Sequence, residues 1–197
     1  MFELPTGEYA GYIFDCDGTL ADSMPLHHAA WRAALQASAA PFDFSWDLFF
    51  RRAGKTLERT VEELNMEFQL TLDPALVAAR QRSEYERLML GIRPLEPVVA
   101  FLRQVAPTKP VSVASGGDAV TVRRTLELIG ILDLFEVVVT AEDVVHGKPA
   151  PDLFLLAASR MGVPASECLV FEDSLLGIEA ATRAGMASVL VKSHVVA

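Results

Sequence analysis

Cysteine is nearly absent. Only Cys16 and Cys168 occur in 197 residues, too few for a disulfide framework. Each stands beside an apolar run that ends in carboxylates, a setting for reduced thiols in a core, and no second Cys or His lies at the spacing of a zinc ligand pair. Long hydrophobic runs are lacking too, since no stretch approaches the roughly 18 consecutive apolar residues of a spanning helix. The opening MFELPTGEYAG has neither the basic start nor the long apolar run of a signal peptide. Positive charge is in deficit: 17 Lys and Arg face 26 Asp and Glu, giving a net charge of −9 and a pI near 4.9. That balance disfavours nucleic acid and anionic membrane surfaces as partners. There is no internal repeat and no low-complexity tract. These absences predict a soluble, cytoplasmic, monomeric protein that draws any anionic ligand in locally.

What is present is apolar: 51% of the residues are hydrophobic, enough at this length for one substantial core and a small second lobe. Five short apolar runs read as strands: Ala10 to Phe14, Val111 to Ala114, Phe135 to Thr140, Leu169 to Phe171 and Ala187 to Val191. Their continuous apolar character predicts burial on both faces, as in a parallel sheet. Helical patterns between them stop at Gly130, Gly162 and Gly185. The alternation predicts an α/β fold. From about Met24 to Ile92 only helical periodicity is found, around Leu26 to Gln36, Leu57 to Met66 and Pro74 to Leu90. The expected organisation is therefore an α/β core of residues 1–22 and 93–197 with an all-helical insertion, residues 23–92. That insertion is nearly balanced in charge, so the acidic surplus lies in the core.

Open parallel sheets bind ligands outside the carboxyl ends of their strands. Four ends here carry polar residues: Asp15, Cys16, Asp17, Gly18 and Thr19 after the first strand; Ser115, Gly116 and Gly117 after the second; Lys148 and Pro149 beyond the third; Glu172 and Asp173 at the fourth. Acids that follow apolar strands without a polar buffer would crowd one sheet edge, and their mutual repulsion raises pKa values unless a cation sits among them. Oxygen donors in that number suit Mg²⁺. Lys148 leads into a stiff Pro149, Ala150, Pro151, Asp152 run that fixes its position. With the backbone amides around Ser115 and Gly116, it could neutralise a phosphoryl group.

These motifs, in this order, resemble the haloacid dehalogenase superfamily, and within it the branch that contains β-phosphoglucomutase and small sugar phosphatases. DCDGT at Asp15 to Thr19, the serine loop at Ser115, GKPAPD at Gly147 to Asp152 and the acidic pair Glu172 and Asp173 carry the resemblance, which spans essentially the whole chain. It implies a Rossmann-like parallel sheet with an inserted helical cap that sets substrate specificity. It implies Asp15 as nucleophile and Asp17 as general acid and base. Mg²⁺ would be held by Asp15, the Asp17 backbone carbonyl, Glu172 and Asp173, and phosphoryl oxygens by Ser115 and Lys148. In the cap, His27 matches a position that orients the general acid, Gly54 matches the specificity loop, and Arg59 or, alternatively, Lys55 contacts the substrate. Trp31 belongs to the cap core or to a substrate wall.

The function so implied is Mg-dependent hydrolysis of a small sugar phosphate, such as fructose 1-phosphate, through a phospho-aspartate. The alternative is β-phosphoglucomutase, interconverting β-glucose 1-phosphate and glucose 6-phosphate. In that enzyme a lysine and an asparagine follow the motif serine, whereas this chain reads Ser115, Gly116, Gly117, Asp118, Ala119. The departure favours hydrolysis.

Overall fold

In the computed structural model, residues 3–52 and 55–192 are described. Five strands, β1 (Gly11–Phe14), β2 (Val111–Ala114), β3 (Val137–Val139), β4 (Cys168–Glu172) and β5 (Ala187–Leu190), form one sheet in the order β3-β2-β1-β4-β5. All neighbours are parallel, with Tyr12 opposite Val111 and Phe14 opposite Phe171. The central strands β1, β2 and β4 are buried almost throughout, which is why β1 and β4 read as apolar runs rather than alternations; in β2 the one polar residue, Ser112, is buried as well. The strand order reverses beside β1, so the carboxyl ends of β1, β2 and β4 converge on the crevice where such sheets place ligands.

The helices α5 (Glu96–Val105), α6 (Ala119–Leu128), α7 (Asp152–Met161) and α8 (Leu175–Arg183) accompany the sheet. Ile13, Val139, Phe154, Ala157, Val170 and Ala181 are among the residues that close the core between strands, α7 and α8. Each large apolar side chain buried in this way contributes about 1.5–3 kcal/mol.

The chain divides into two compact units, Met1–Asp22 with Arg93–Ala197, and Ser23–Ile92. The second is wholly helical: α1 (Met24–Ala37), α2 (Trp46–Phe50), α3 (Leu57–Phe68) and α4 (Pro74–Leu88). Its helix starts are written in the sequence. Thr56 accepts the Arg59 amide at 3.2 Å, and Asp73, ahead of Pro74, accepts the Ala75 amide at 2.9 Å. A separate core of Trp31, Leu35, Phe44, Val61 and Leu64 holds it together. Trp31 is therefore a core residue of this unit.

Two helices were not anticipated. α2 is too short for a periodic signal, whereas α5 carries a legible stripe, Val98, Val99 and Leu102, behind Pro97 in its first turn. β3 is also shorter than the run from Phe135 to Thr140. It is an edge strand with one neighbour; Phe135 ends a 3-10 turn, and the Thr140 amide is taken by Asp143 Oδ2 at 2.9 Å. Among the described residues no helix is long and apolar enough to cross a membrane.

Cys16 and Cys168 are free and buried. Gly11 is the residue opposite Cys168, so the two thiols lie at opposite ends of neighbouring strands, beyond the ~7 Å Cα separation a disulfide tolerates. Burial, with the Asp17 and Asp15 carboxylates, pushes the Cys16 thiol well up, and burial pushes Cys168 up to about 11. Thiol reagent at pH 8 is expected to leave both residues unmodified in the native protein and to modify both after unfolding in denaturant without reductant.

Candidate active site

Four loops meet at the carboxyl edge of the sheet. The first follows β1: the Asp15 amide donates to the Phe171 carbonyl at 2.9 Å, and the Cys16 carbonyl accepts the Leu20 and Ala21 amides at 3.0 Å each. Gly18 takes a positive φ of 78°, which a residue with a Cβ rarely adopts. The Asp-x-Asp-Gly turn is thereby closed tightly enough to hold Asp15 buried, with Asp17 half-buried two residues on.

From the loop before α7, Lys148 brings its Nζ to 2.7 Å from Asp15 Oδ1 and 3.4 Å from Glu172 Oε2. Its Nζ also lies over the Phe154 ring, 5.1 Å from the centroid. All three charged side chains are buried. Carboxylate oxygens of Asp15, Glu172 and Asp173 lie within 4.8 Å of one another.

The electrostatics follow from that crowding. Burial, and then the charge of Glu172, raise Asp15 to about 7 against the opposing pull of Lys148. Burial and the Asp15 and Glu172 charges likewise hold Asp173 well above the usual carboxylate range. Lys148 is itself held above its ordinary value: burial opposes its charge, but the Asp15 and Glu172 carboxylates outweigh it. One ammonium against three carboxylates leaves negative charge uncompensated. A set of oxygen donors in that state fits a hard divalent cation such as Mg²⁺.

An acid whose pKa is raised on folding binds protons more strongly in the folded state, so stability falls as pH climbs from its unfolded to its folded value. In excess chelator the protein is therefore expected to lose stability between about pH 4 and pH 7, and Asp15→Asn to flatten that slope. Urea titrations at a series of pH values measure both.

The second loop follows β2. The Ser115 amide donates to the Val139 carbonyl at 3.0 Å, and the buried Ser115 Oγ accepts the Gly117 amide at 3.1 Å. A Cβ on Gly117 would stand 3.4 Å from Ser115 Oγ and 3.8 Å from Asp17 Oδ2, which places Asp17 and the serine loop side by side. Gly116 is exposed. At the start of α6, Asp118 Oδ1 accepts the Thr121 amide at 2.9 Å and Glu142 Oε2 accepts the Ala119 amide at 3.0 Å. Acids thus occupy the amides of this helix N-terminus.

Asp15, Asp17, Ser115, Gly116, Lys148, Glu172 and Asp173 accordingly share one sheet edge. The carboxylate cluster itself comprises Asp15, Glu172 and Asp173, without the Asp17 side chain. His27, Lys55 and Arg59 belong to the helical unit, and Gly54 lies outside the described residues. His27 stacks on Tyr85, with centroids 3.8 Å apart. Lys55 Nζ is 2.7 Å from Glu63 Oε2, and Arg59 pairs with Glu62 at 3.2 Å and Glu63 at 3.6 Å. The basic patch is neutralised locally, because Arg51 pairs with Asp47 and the buried Arg52 with Glu67 as well. Sequence reasoning missed the acids on α3 as partners, although Glu63 and Glu67 stand one helical turn apart.

A family profile described as haloacid dehalogenase-like hydrolase matches residues 9–185. The chain belongs to this family. Among curated relatives, the fructose-1-phosphate phosphatase YqaB of Escherichia coli is 38% identical over 187 residues, covering 93% of this chain and 97% of the relative. The β-phosphoglucomutase of Bacillus subtilis is 28% identical over 184 residues, covering 90% and 80%. A solved hydrolase from Pseudomonas syringae superposes with a TM-score of 0.78 at 30% identity, covering 91% of this chain and 83% of that one. This haloacid dehalogenase-like hydrolase is thus an enzyme of the family's phosphatase kind, and its five-stranded parallel sheet is the family's fold.

Proposed function

We propose that the protein is a Mg²⁺-dependent phosphatase that hydrolyses a small sugar phosphate through a phospho-aspartate at Asp15. The observation that carries this reading is the buried group of Asp15, Lys148, Glu172 and Asp173, in which carboxylates outnumber the one ammonium. Asp15, Glu172 and Asp173, with the Asp17 backbone carbonyl, would hold the ion. When bound, Mg²⁺ neutralises charge on the phosphoryl oxygens and lowers repulsion between an anionic ester and an anionic nucleophile.

The protein's own groups perform the remaining steps. Ser115, the Gly116 amide and Lys148 bind and orient the phosphoryl oxygens. An Asp15 carboxylate oxygen attacks phosphorus, the bond from phosphorus to the sugar oxygen breaks, and Asp17 gives that oxygen its proton. Asp17, now ionised, takes a proton from water as the water oxygen attacks phosphorus. The bond to Asp15 breaks, and phosphate and the free carboxylate are regenerated. Selection of the sugar is assigned to the helical unit, in its role as cap, through Gly54 and either Arg59 or Lys55, with His27 orienting the general acid Asp17.

The acids at the start of α6 favour hydrolysis over transfer. A mutase must keep a bisphosphate, which calls for a second cationic phosphate site, whereas here Asp118 and Glu142 stand beyond Ser115. The 97% coverage of a fructose-1-phosphate phosphatase supports the same choice. Fructose 1-phosphate and β-glucose 1-phosphate, with and without bisphosphate primer, are expected to yield mainly free phosphate, and chelator to stop its release. Efficient conversion of β-glucose 1-phosphate to glucose 6-phosphate with little free phosphate would establish the mutase instead.

A further inference from the structure

Glu172 ends β4 fully buried, yet nothing in the motif explains how a side chain of this length is held with its two oxygens turned to different partners. Its Oε2 faces Lys148 at 3.4 Å. Its Oε1 accepts the hydroxyl of Ser174, and the same Ser174 Oγ accepts the Gly177 amide at 3.0 Å as the N-cap of α8. The Glu172 side chain lies directly against the Cα of Gly177: the three atoms nearest a Cβ built there are Oε1, Cδ and Cγ of Glu172, all far inside van der Waals contact. Gly177 has no positive φ, so its backbone would accept alanine without strain. What excludes a larger residue is the acid.

We infer that Gly177 and Ser174 are positioning residues that build the seat for Glu172. The missing Cβ admits the side chain to the first turn of α8, and the capping hydroxyl fixes which oxygen turns inward and which faces Lys148. Because Cγ as well as the carboxylate meets the built Cβ, rotation of the carboxyl group alone cannot relieve the contact, and Glu172 must leave its place. The consequence for the ion rests on the magnesium reading above; the seating itself does not.

The test is a double-mutant cycle read by thermal unfolding, together with Mn²⁺ binding counted by electron paramagnetic resonance. Alanine normally strengthens a helix relative to glycine. Gly177→Ala should nevertheless lower Tm, and in a Glu172→Ala background the same change should leave Tm unchanged or raise it. Mn²⁺ affinity should fall at least ~10-fold in Gly177→Ala, the range seen when the support of a ligand is removed, whereas Leu175→Ala, at an exposed position of the same turn, should bind as wild type. If Gly177→Ala does not fold, folding of the double variant sustains the inference and its failure to fold overturns it. Gly177→Ala with raised Tm and unchanged Mn²⁺ affinity would also overturn it. Wild-type protein that binds no Mn²⁺ would refute the magnesium reading and leave the cycle to decide the seating.

Discussion

Asp15→Asn is expected to reduce phosphate release to background, a loss on the order of 10⁴-fold or more, as when one member of a concerted catalytic unit is removed. The amide keeps the shape of the carboxylate and removes its nucleophilicity. Its fold should survive, because Asp15 ionises at a cost in its buried setting, with a pKa raised to about 7 by burial and by Glu172. An unchanged or higher Tm beside abolished turnover, measured on one preparation, separates a chemical role from a structural one. Turnover within tenfold of wild type would remove Asp15 from the mechanism.

Lys148→Met should have the second largest effect, and on two quantities at once. Lys148 is the cation nearest Asp15 and Glu172, at 2.7 and 3.4 Å, with its side chain only 7% exposed. Removing one partner of a buried pair leaves the others uncompensated and costs about 3–5 kcal/mol; a lost phosphoryl ligand costs about 10²–10³ in kcat. The stability deficit should have a definite pH dependence. Without Lys148 the carboxylates retain protons to higher pH, so the deficit relative to wild type should shrink as pH falls below about 7 and the acids are neutralised. Urea unfolding in chelator at pH 5 and pH 8 measures it, and a deficit that grows on acidification would contradict the assigned charges. Lys148→Arg should not restore activity, since the planar guanidinium fork differs from a compact ammonium in shape and reach.

How much was legible in the sequence depended on how local the determining physics was. β1 and β4 could be read because burial on both faces leaves an apolar run, and β2 because only Ser112 interrupts one. β3 is shorter than its sequence run because Phe135 and Thr140, apolar and β-branched, serve turns at the strand's ends. α5 has a legible apolar stripe in Val98, Val99 and Leu102, but its N-cap is Leu95, which offers no capping side chain to mark where the helix starts.

Asp15, Ser115 and Glu172 stand at or just past strand ends, and the sheet gathers such ends on one edge, whereas Lys148 reaches that edge from the loop before α7. Pairings across long separations were not readable. Lys148 meets Asp15 across 133 positions, and its neutralising role needed the fold. Lys55 and Arg59 looked like free cations, whereas Glu62 and Glu63 on α3 pair with them. Gly177 lies inside a helix, and only the path of Glu172 reveals why no Cβ fits there. A signal did exist, a serine N-cap three residues before the glycine and directly after the two acids.

The central claim is that the phosphoryl group resides on a carboxylate before water takes it, which makes hydrolysis two displacements at phosphorus rather than one. The stereochemical course with a substrate made chiral at phosphorus by sulfur and oxygen isotopes tests this most directly, since it does not require the intermediate to accumulate. Two in-line displacements predict overall retention of configuration; inversion would mean direct attack by water and would contradict the account.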